Sequence, residues 1–492
     1  MAKRPVKLDE KGYRKFGMLD KIAYAAGDLG CNMSFSLKNT VQTFWLAFMM
    51  METGLLSILL LIVQIWDAIN DPIIGAMIDA DRKQYKRGKF KQYILVGAIG
   101  LVVAGAAVFL PFPNAATWIK AILFILGYML WDAFYTVANV PYGSMLSLVT
   151  ENPGERAQLS TWRSIGSMIG NMLPSMILPA IIWRKEFNAD GTPMLNPETG
   201  VQVETLLGNR VFIAALLMGV LGFLCFLFMI KKITIRVDEN SVRAGEDAPK
   251  FNIFKAFWNF LKNRPAMGAT LAAMGMFLGM NSAATATTIM FATYFGMAQL
   301  SGIVQMVGFL PMFFFMPFIK PLVNKFGKKE ASVVGMLVSA FGALIMLIFP
   351  LIPNKMVSLI VYLLGLVFFG VGMGVYTCVS WAFMADAIDY NEWKTGKREE
   401  GTIYSLHSFF RKLAQGVGPS IVLLIMGMLG YISDLGTAGQ SAATSYNMCW
   451  LVAGLYAFSA VLMILGVGVI YNLDKKTLNK MNEELAARKA AE

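Results

Sequence analysis

The chain has little charge for its length. Of its 492 residues, 15% are Lys, Arg, Asp or Glu, where an ordinary soluble domain carries about 25%. It holds one histidine and four cysteines. Cys31, Cys225, Cys378 and Cys449 all fall inside or at the edge of apolar runs, with no CxxC spacing and no Cys/His cluster. That pattern excludes a disulfide framework and a thiolate or histidine metal centre; the thiols read as ordinary buried side chains. No GxSxG, HExxH or Walker loop occurs, and no GxGxxG follows a strand. The chain therefore reads as a non-enzyme with no resident cofactor and no nucleotide site of its own. A cleavable signal peptide is also missing: the first twenty residues are charged and polar, so the first apolar span is expected to serve as its own insertion signal.

Long apolar runs are what the sequence has in excess. Hydrophobic residues make up 56% of it, and the mean hydropathy is +0.56. A membrane span needs about 20 predominantly apolar residues. Runs of that kind lie near 22–49, 54–79, 93–112, 116–147, 160–183, 210–231, 265–296, 300–320, 331–350, 357–387, 402–430 and 445–472. They predict an all-α integral membrane protein of twelve transmembrane helices, several of them long enough to tilt or bend. The runs are continuous rather than alternating, which excludes a transmembrane β-barrel.

The formal charge of +12 would suit nucleic acid, but its placement suits a lipid bilayer. Arg82, Lys83, Lys86, Arg87, Lys89 and Lys91 lie after the second run, and Lys320, Lys325, Lys328 and Lys329 after the eighth. Another basic group fills the segment after the sixth run, while 296–300 and 431–444 are nearly free of Lys and Arg. This alternation places both termini in the cytoplasm and argues against a nucleic-acid partner. Segment 232–264 is the longest charged interruption. It predicts an N-terminal six-helix bundle over 1–231, a cytoplasmic central loop over 232–264, a C-terminal six-helix bundle over 265–472 and a cytoplasmic tail over 473–492. Basic loops stand at matching places in the two halves, GAMIDADRKQYKRGKFK from Gly75 and KPLVNKFGKKE from Lys320. Residues 184–209 are rich in turn formers and read as an exposed outer loop with room for a small hairpin.

A charge at the bilayer centre costs about 2.5–3.5 kcal/mol on insertion scales, so each one calls for an explanation. Asp67 and Asp71, four apart on the second run, share a helix face with Asn70 beside them. Two carboxylates that close need a proton, a cation or a basic side chain, and oxygen ligands suit Na⁺ or H⁺ better than a transition metal. The alternative is an ion pair with Arg163 or Lys412. On the fourth run Asp132, Thr136 and Asn139 share a face, which would serve either a solute or helix–helix hydrogen bonds. Lys38 on the first run, and His407, Arg411 and Lys412 on the eleventh, lie deep in apolar surroundings. For His407 a packing role and a solute or proton role both stay open.

Several long segments, in order, resemble one known family. They are YAAGDLG from Tyr24, IWDAINDPIIG from Ile65, RGKFK from Arg87, YTVANVPYGSM from Tyr135, ERAQLSTWRSIGSMIG from Glu155 and ADAIDYNEWKTGKREEG from Ala385. Together they resemble the glycoside–pentoside–hexuronide:cation symporters of the major facilitator superfamily. The resemblance implies two six-helix bundles and secondary symport of a sugar or sugar-derived solute with Na⁺ or H⁺ by alternating access. It further implies a multi-pass protein of a bacterial plasma membrane that works as a monomer. In the melibiose permease branch the cation site corresponds to Asp67, Asn70, Asp71 and Thr136, with Na⁺ as one possible occupant. The solute site corresponds to Asn32, Asn139, Arg163 and Lys412, and Lys38, Asp132 and His407 join it as candidates from their depth. The loop motif of the superfamily resembles Asp79 with Arg82 and Arg87, a cytoplasmic gate that Asp386 and Asp389 would complete.

Two departures matter. Asn32 and Asn139 stand where that branch has sugar-gripping aspartates, which argues against melibiose as the solute. If these asparagines are level, Lys38 lies about 9 Å outward of one and Asp132 about 10.5 Å outward of the other at 1.5 Å per residue. The two could then form a buried ion pair, although Lys38 is rotated about 120° from Asn32 on an ideal helix. Alternatively Lys38, Arg163 and Lys412 make a net positive cavity for an anionic sugar. Two other readings stay in play, a cation-coupled carrier of a lysolipid or other amphiphile and a non-transporting membrane sugar sensor.

Overall fold

The computed structural model describes residues 13–81, 83–150, 152–237, 253–396 and 400–491. In lipid every backbone polar group has to be satisfied within its own segment, so apolar runs of this length fold as helices. In order they are α1 (Met18–Phe35), α2 (Leu37–Ala47), α3 (Thr53–Ala80), α4 (Lys89–Ala107), α5 (Thr117–Val149), α6 (Pro153–Ile182) and α7 (Gly208–Lys232). After the central segment come α8 (Ile253–Lys262), α9 (Arg264–Phe277), α10 (Ala283–Met290), α11 (Ser301–Phe326), α12 (Lys328–Ile348), α13 (Lys355–Thr395), α14 (Glu400–Met428), α15 (Ala442–Met463) and α16 (Lys475–Ala491).

Among the described residues, nine helices are long and apolar enough to cross a membrane. The other three expected spans take a different form. The first is broken at Ser36 into α1 and α2, and the seventh is interrupted by π turns at Leu278–Ser282 and Phe291–Phe295. The eighth lies in α11, whose apolar sequence runs over 302–319 with Pro311 and Pro317 inside it and ends at Lys320. At the boundary of α1 and α2, Ser36 keeps helical backbone (φ −59°, ψ −21°) and its amide still bonds the Asn32 carbonyl, while its hydroxyl donates back to the Met33 carbonyl at 3.0 Å, a bond that competes with the helix ladder.

The chain forms two compact units. The first holds α1, α2, α3 from Leu59 onward, and α4 to α7. Within it α1 packs on α6 and α7, and α4 on α5 and α7. Gly166 of α6 sits so close to the Ala25 carbonyl of α1 that a Cβ would not fit, the close approach that small residues permit between membrane helices. On α3, Ile58, Ile62, Ile65, Ile69, Ile73 and Met77 are exposed, a stripe at helical spacing suited to acyl chains.

The second unit holds α8 to α16 together with Glu52–Ile58 and Lys185–Thr205. Here α12 packs on α13 and α15, α11 on α13, and α9 on α13, α14 and α15. The loops before α4 and α12 repeat one device: Gly88 (φ +85°) and Gly327 (φ +109°) both precede the helix in left-handed backbone, where glycine carries no Cβ penalty. The internal repeat read from the basic loops therefore has a structural counterpart.

The outer loop is more than an exposed hairpin. It does contain a short two-stranded pairing, Trp183–Lys185 with Glu204–Leu206, and two isolated bridges. It is also fastened within the second unit. Asn196 donates to the Ala438 and Gln440 carbonyls at 2.6 and 3.1 Å, the buried Glu204 carboxylate accepts from the Ala298 amide, and Lys355 donates to the Thr199 carbonyl at 3.2 Å. Asn196→Ala strands two buried carbonyls, and we expect a cost of about 1–3 kcal/mol. A thermal melt of the purified protein, with faster trypsin cleavage at Arg184 or Lys185, checks it.

Candidate functional site

Six of the polar residues singled out in the sequence meet on α2, α3 and α5 of the first unit. Asn70 donates to the Thr136 hydroxyl at 3.0 Å, and that hydroxyl donates to Asp71 Oδ1 at 2.8 Å. Asn70 and Thr136 are each 1% exposed, so this chain of bonds ties α3 to α5 away from water. Asp67 lies one turn before Asp71 on α3. From α2, Lys38 Nζ approaches Asp132 Oδ1 at 3.4 Å. The ammonium stands 4.8 Å from the Phe35 ring centroid and 5.9 Å from that of Tyr128, a position aromatic faces favour for a cation. Asp67 also lies within range of its charge. The Asp132 side chain has no exposure, and its Oδ2 is buried without a donor.

The remaining first-unit candidates gather on α1, α5 and α6. Arg163 Nε donates to Asp28 Oδ1 at 3.1 Å, and the guanidinium lies 5.1 Å from the Tyr142 ring centroid. Asn32 donates to the Asp28 carboxylate at 3.1 Å and accepts from Asn171 at 2.6 Å. Asn139 accepts from the Cys31 thiol at 3.7 Å, which brings it beside Asn32 on α1. Below them the Tyr24 and Tyr142 rings stack at 4.8 Å, and each hydroxyl donates to the other's backbone carbonyl.

These contacts bear on two of the alternatives that the sequence leaves open. Arg163 pairs with Asp28, not with the aspartates of α3. Within the first unit Lys38 and Arg163 each already have a carboxylate partner, Asp132 and Asp28 respectively. The Lys38–Asp132 pair forms despite the rotation counted on an ideal helix, because the ammonium sits on a long, flexible stem.

Sequence reasoning did not single out Asp28, Tyr24, Tyr142, Tyr128 or Asn171. Asp28 was within reach, since it precedes Asn32 by four residues, the same one-face spacing that drew attention to Asp67 and Asp71. The tyrosines gave no comparable signal, because an aromatic on an apolar helix is ordinarily packing.

In the second unit, His407 of α14 is 4% exposed and shares a hydrogen bond with the Thr270 hydroxyl at 2.9 Å. Arg411 lies 5.4 Å from the Phe277 ring centroid, and Lys412 follows it on α14. Asp386 of α13 pairs with Lys328 at 2.6 Å and accepts from the Tyr471 hydroxyl at 3.1 Å, with Asp389 a turn further on. At the end of α3, Asp79 occupies the last turn, Arg87 is exposed in the following turn, and Arg82 lies outside the described residues. The loop there is ordered by Asp81. Its carboxylate accepts from the Lys83 amide and from the Tyr85 and Tyr93 hydroxyls at 2.9, 2.7 and 2.7 Å. These donors, the amide first, hold the carboxyl down at about 2.

Among the described residues no three His, Cys, Asp or Glu side chains converge as a metal centre. What α3 and α5 offer is two carboxylates, an amide oxygen and a hydroxyl. Such a hard, oxygen-only donor set suits a small monovalent cation held by few charges.

The helices, their internal repeat and the buried charges define a multi-pass membrane transporter. The family of MFS/sugar transport proteins matches residues 23–475. The chain belongs to that family, within the glycoside–pentoside–hexuronide group of the major facilitator superfamily. It is 30% identical over 470 residues to the "uncharacterized symporter YjmB" of Bacillus subtilis (strain 168), covering 94% of this chain and 93% of the relative. It is 28% identical over 419 residues to the "glucuronide carrier protein homolog" of Escherichia coli (strain K12), covering 84% of each. The structure resembles a crystal structure of a D-xylose–proton symporter with a TM-score of 0.57, 14% identity and coverage of 90% of this chain and 95% of that one. At that identity the likeness is one of fold.

Proposed function

We propose that the chain is a secondary active symporter. It couples entry of Na⁺ or H⁺ to uptake of a glycoside, pentoside or hexuronide-type sugar by alternating access, in the plasma membrane of a bacterium with both termini cytoplasmic. Asp67, Asn70, Asp71 and Thr136 hold the coupling ion; Asn32, Asn139, Arg163 and Asp28 form the first unit's share of the solute site. The observation that carries this reading is the hydrogen-bonded chain Asn70–Thr136–Asp71 across α3 and α5, buried at Asn70 and Thr136. A carboxylate in that setting calls for a cation or a basic side chain beside it, and a cation that binds there before the protein closes is a coupling ion. Relatives whose names include a symporter and a glucuronide carrier support the solute class. The local charges favour a neutral sugar, since an anionic one has to draw on basic groups beyond Lys38 and Arg163.

The test is uptake into proteoliposomes from a panel of neutral and anionic glycosides and pentosides, with imposed Na⁺ or H⁺ gradients. The expected result is accumulation above the outside concentration that collapses when an ionophore dissipates the gradient. Uptake that only equilibrates, whichever gradient is imposed, overturns symport.

A further inference from the structure

The first unit buries one more carboxylate beside the candidate cation ligands than those ligands account for. Asp132 interacts with Lys38, with the Asp67 side chain and with the charge of Asp71. Lys38 covers only Asp132 Oδ1, and Oδ2 meets no donor. Lys38 itself lies within range of both Asp132 and Asp67. It sits on a four-carbon arm just past the break at Ser36, with its ammonium against the Phe35 and Tyr128 rings. One tethered cation is thus paired with one carboxylate and within electrostatic range of a second, which belongs to the candidate ion site.

We propose that Lys38 is a built-in stand-in for the coupling ion, held on Asp132 when that ion is bound and engaging Asp67 when it is absent. The inference rests on the cation-site reading of Asp67 and Asp71. Without such a stand-in, the empty protein would carry the buried Asp132 and the half-buried Asp67 in low dielectric with no mobile cation between them, and its return across the membrane would be slow. With it, the ammonium compensates Asp67 during the return and is displaced when the ion re-enters. Lysine suits this task better than arginine would, as a compact charge on a flexible stem that exchanges partners without a fixed planar fork. Asp132 is then the parking place: its Oδ1 holds the ammonium within a short swing of Asp67, and the aromatic rings keep it from leaving the cavity.

The stand-in makes one step of the cycle depend on Lys38 and leaves another independent of it. Net uptake requires the empty protein to reorient, whereas solute–solute exchange in saturating cation does not. In proteoliposomes, Lys38→Met is expected to reduce net uptake at least about tenfold and to leave exchange within about twofold of the parent. The cation concentration for half-maximal exchange should fall by about tenfold or more, because a competing positive charge has been removed. Lys38→Arg, which keeps the charge, should recover a substantial part of net uptake.

Equal loss of net uptake and exchange in Lys38→Met, with no change in the cation concentration required, overturns the proposal and leaves Lys38–Asp132 a structural pair. If Lys38→Met does not fold, Lys38→Gln and Lys38→Arg are compared in the same assay, and an exchange-to-net ratio equal to the parent's in both overturns it. Asp71→Asn measured alongside separates the two ideas. Cation dependence that survives Asp71→Asn sinks the ion-site reading itself; its loss there, with Lys38 variants indistinguishable from the parent, sinks only the stand-in.

Discussion

Replacing Asp71 by Asn is expected to abolish uphill accumulation while downhill exchange of the solute survives. Asp71 Oδ1 accepts from the Thr136 hydroxyl, which in turn accepts from Asn70. The amide of an asparagine fits the same space, so the packing of α3 on α5 should persist. The charge does not: one of the two candidate carboxylate ligands becomes neutral, and with it most of the attraction for a monovalent ion. Changes to residues outside a metal's own ligands already cost 10–100-fold in affinity, so losing a charged ligand should cost at least about 100-fold. Thr136→Ala offers a graded comparison, since it removes a neutral oxygen and the bridge to Asn70, and should weaken cation dependence by roughly 10–100-fold. The measurement is the ratio of accumulated to external solute under a fixed Na⁺ or H⁺ gradient, together with counterflow at zero gradient. Parent-like accumulation in Asp71→Asn would remove the ion site from these residues. Loss of counterflow as well would show that the substitution damages solute binding or folding.

How far the sequence could lead follows from what lipid demands. A helix that faces acyl chains has to be apolar over its whole length, and this is why α3 to α7 and α12 to α15 stand out as runs with boundaries close to those observed. The same demand makes a stray carboxylate conspicuous, and the one-turn spacing of Asp67 and Asp71 needs only a helix to be meaningful. Pairing across helices is different. Nothing local to Arg163 says that its partner is Asp28 on α1 and not an aspartate of α3, because helix–helix register depends on small contacts such as Gly166 against Ala25. The docking of the outer loop was invisible for a similar reason: the carbonyls that hold Asn196 come from residues more than two hundred positions later. Counting residues along a helix also fell short. Depth along the bilayer put Lys38 level with Asp132, but rotation counted on an ideal helix turned it away; the four-carbon stem of the lysine is what carries the charge across.

A residue at the very edge of the first span carries the largest structural expectation. Asp20, in the first turn of α1, has no side-chain exposure and is gripped from two sides. Arg14 meets its Oδ1 at 2.5 Å, and Arg236 meets its Oδ2 at 3.0 Å. The amides of Gly17 and Thr234 donate to the same carboxylate at 3.2 and 3.3 Å. Arg236 is itself 10% exposed in its side chain and spends its other donors on the carbonyls of Arg14, Val149 and Thr234. Arg14 reaches the Lys232 carbonyl as well. One carboxylate therefore fastens the entry to α1, the exit from α5 and the segment after α7. Removing one member of a buried ion pair leaves an uncompensated charge and costs about 3–5 kcal/mol; Arg14 is a quarter exposed, so the lower end applies to Asp20→Asn. At roughly 2–4 °C per kcal/mol for a unit of 150–250 residues, the thermal transition should fall by about 6–12 °C. Lys480→Ala is the control, because Lys480 and Glu484 form an exposed pair at 3.8 Å worth less than about 1 kcal/mol. The two variants are to be melted side by side in the same detergent, with the cation concentration for half-maximal exchange measured for each. A drop in Asp20→Asn no larger than in the control would show that water replaces the carboxylate. A changed cation requirement would show that this end of α1 acts on the ion site, whereas the knot as observed predicts lower stability with that requirement intact.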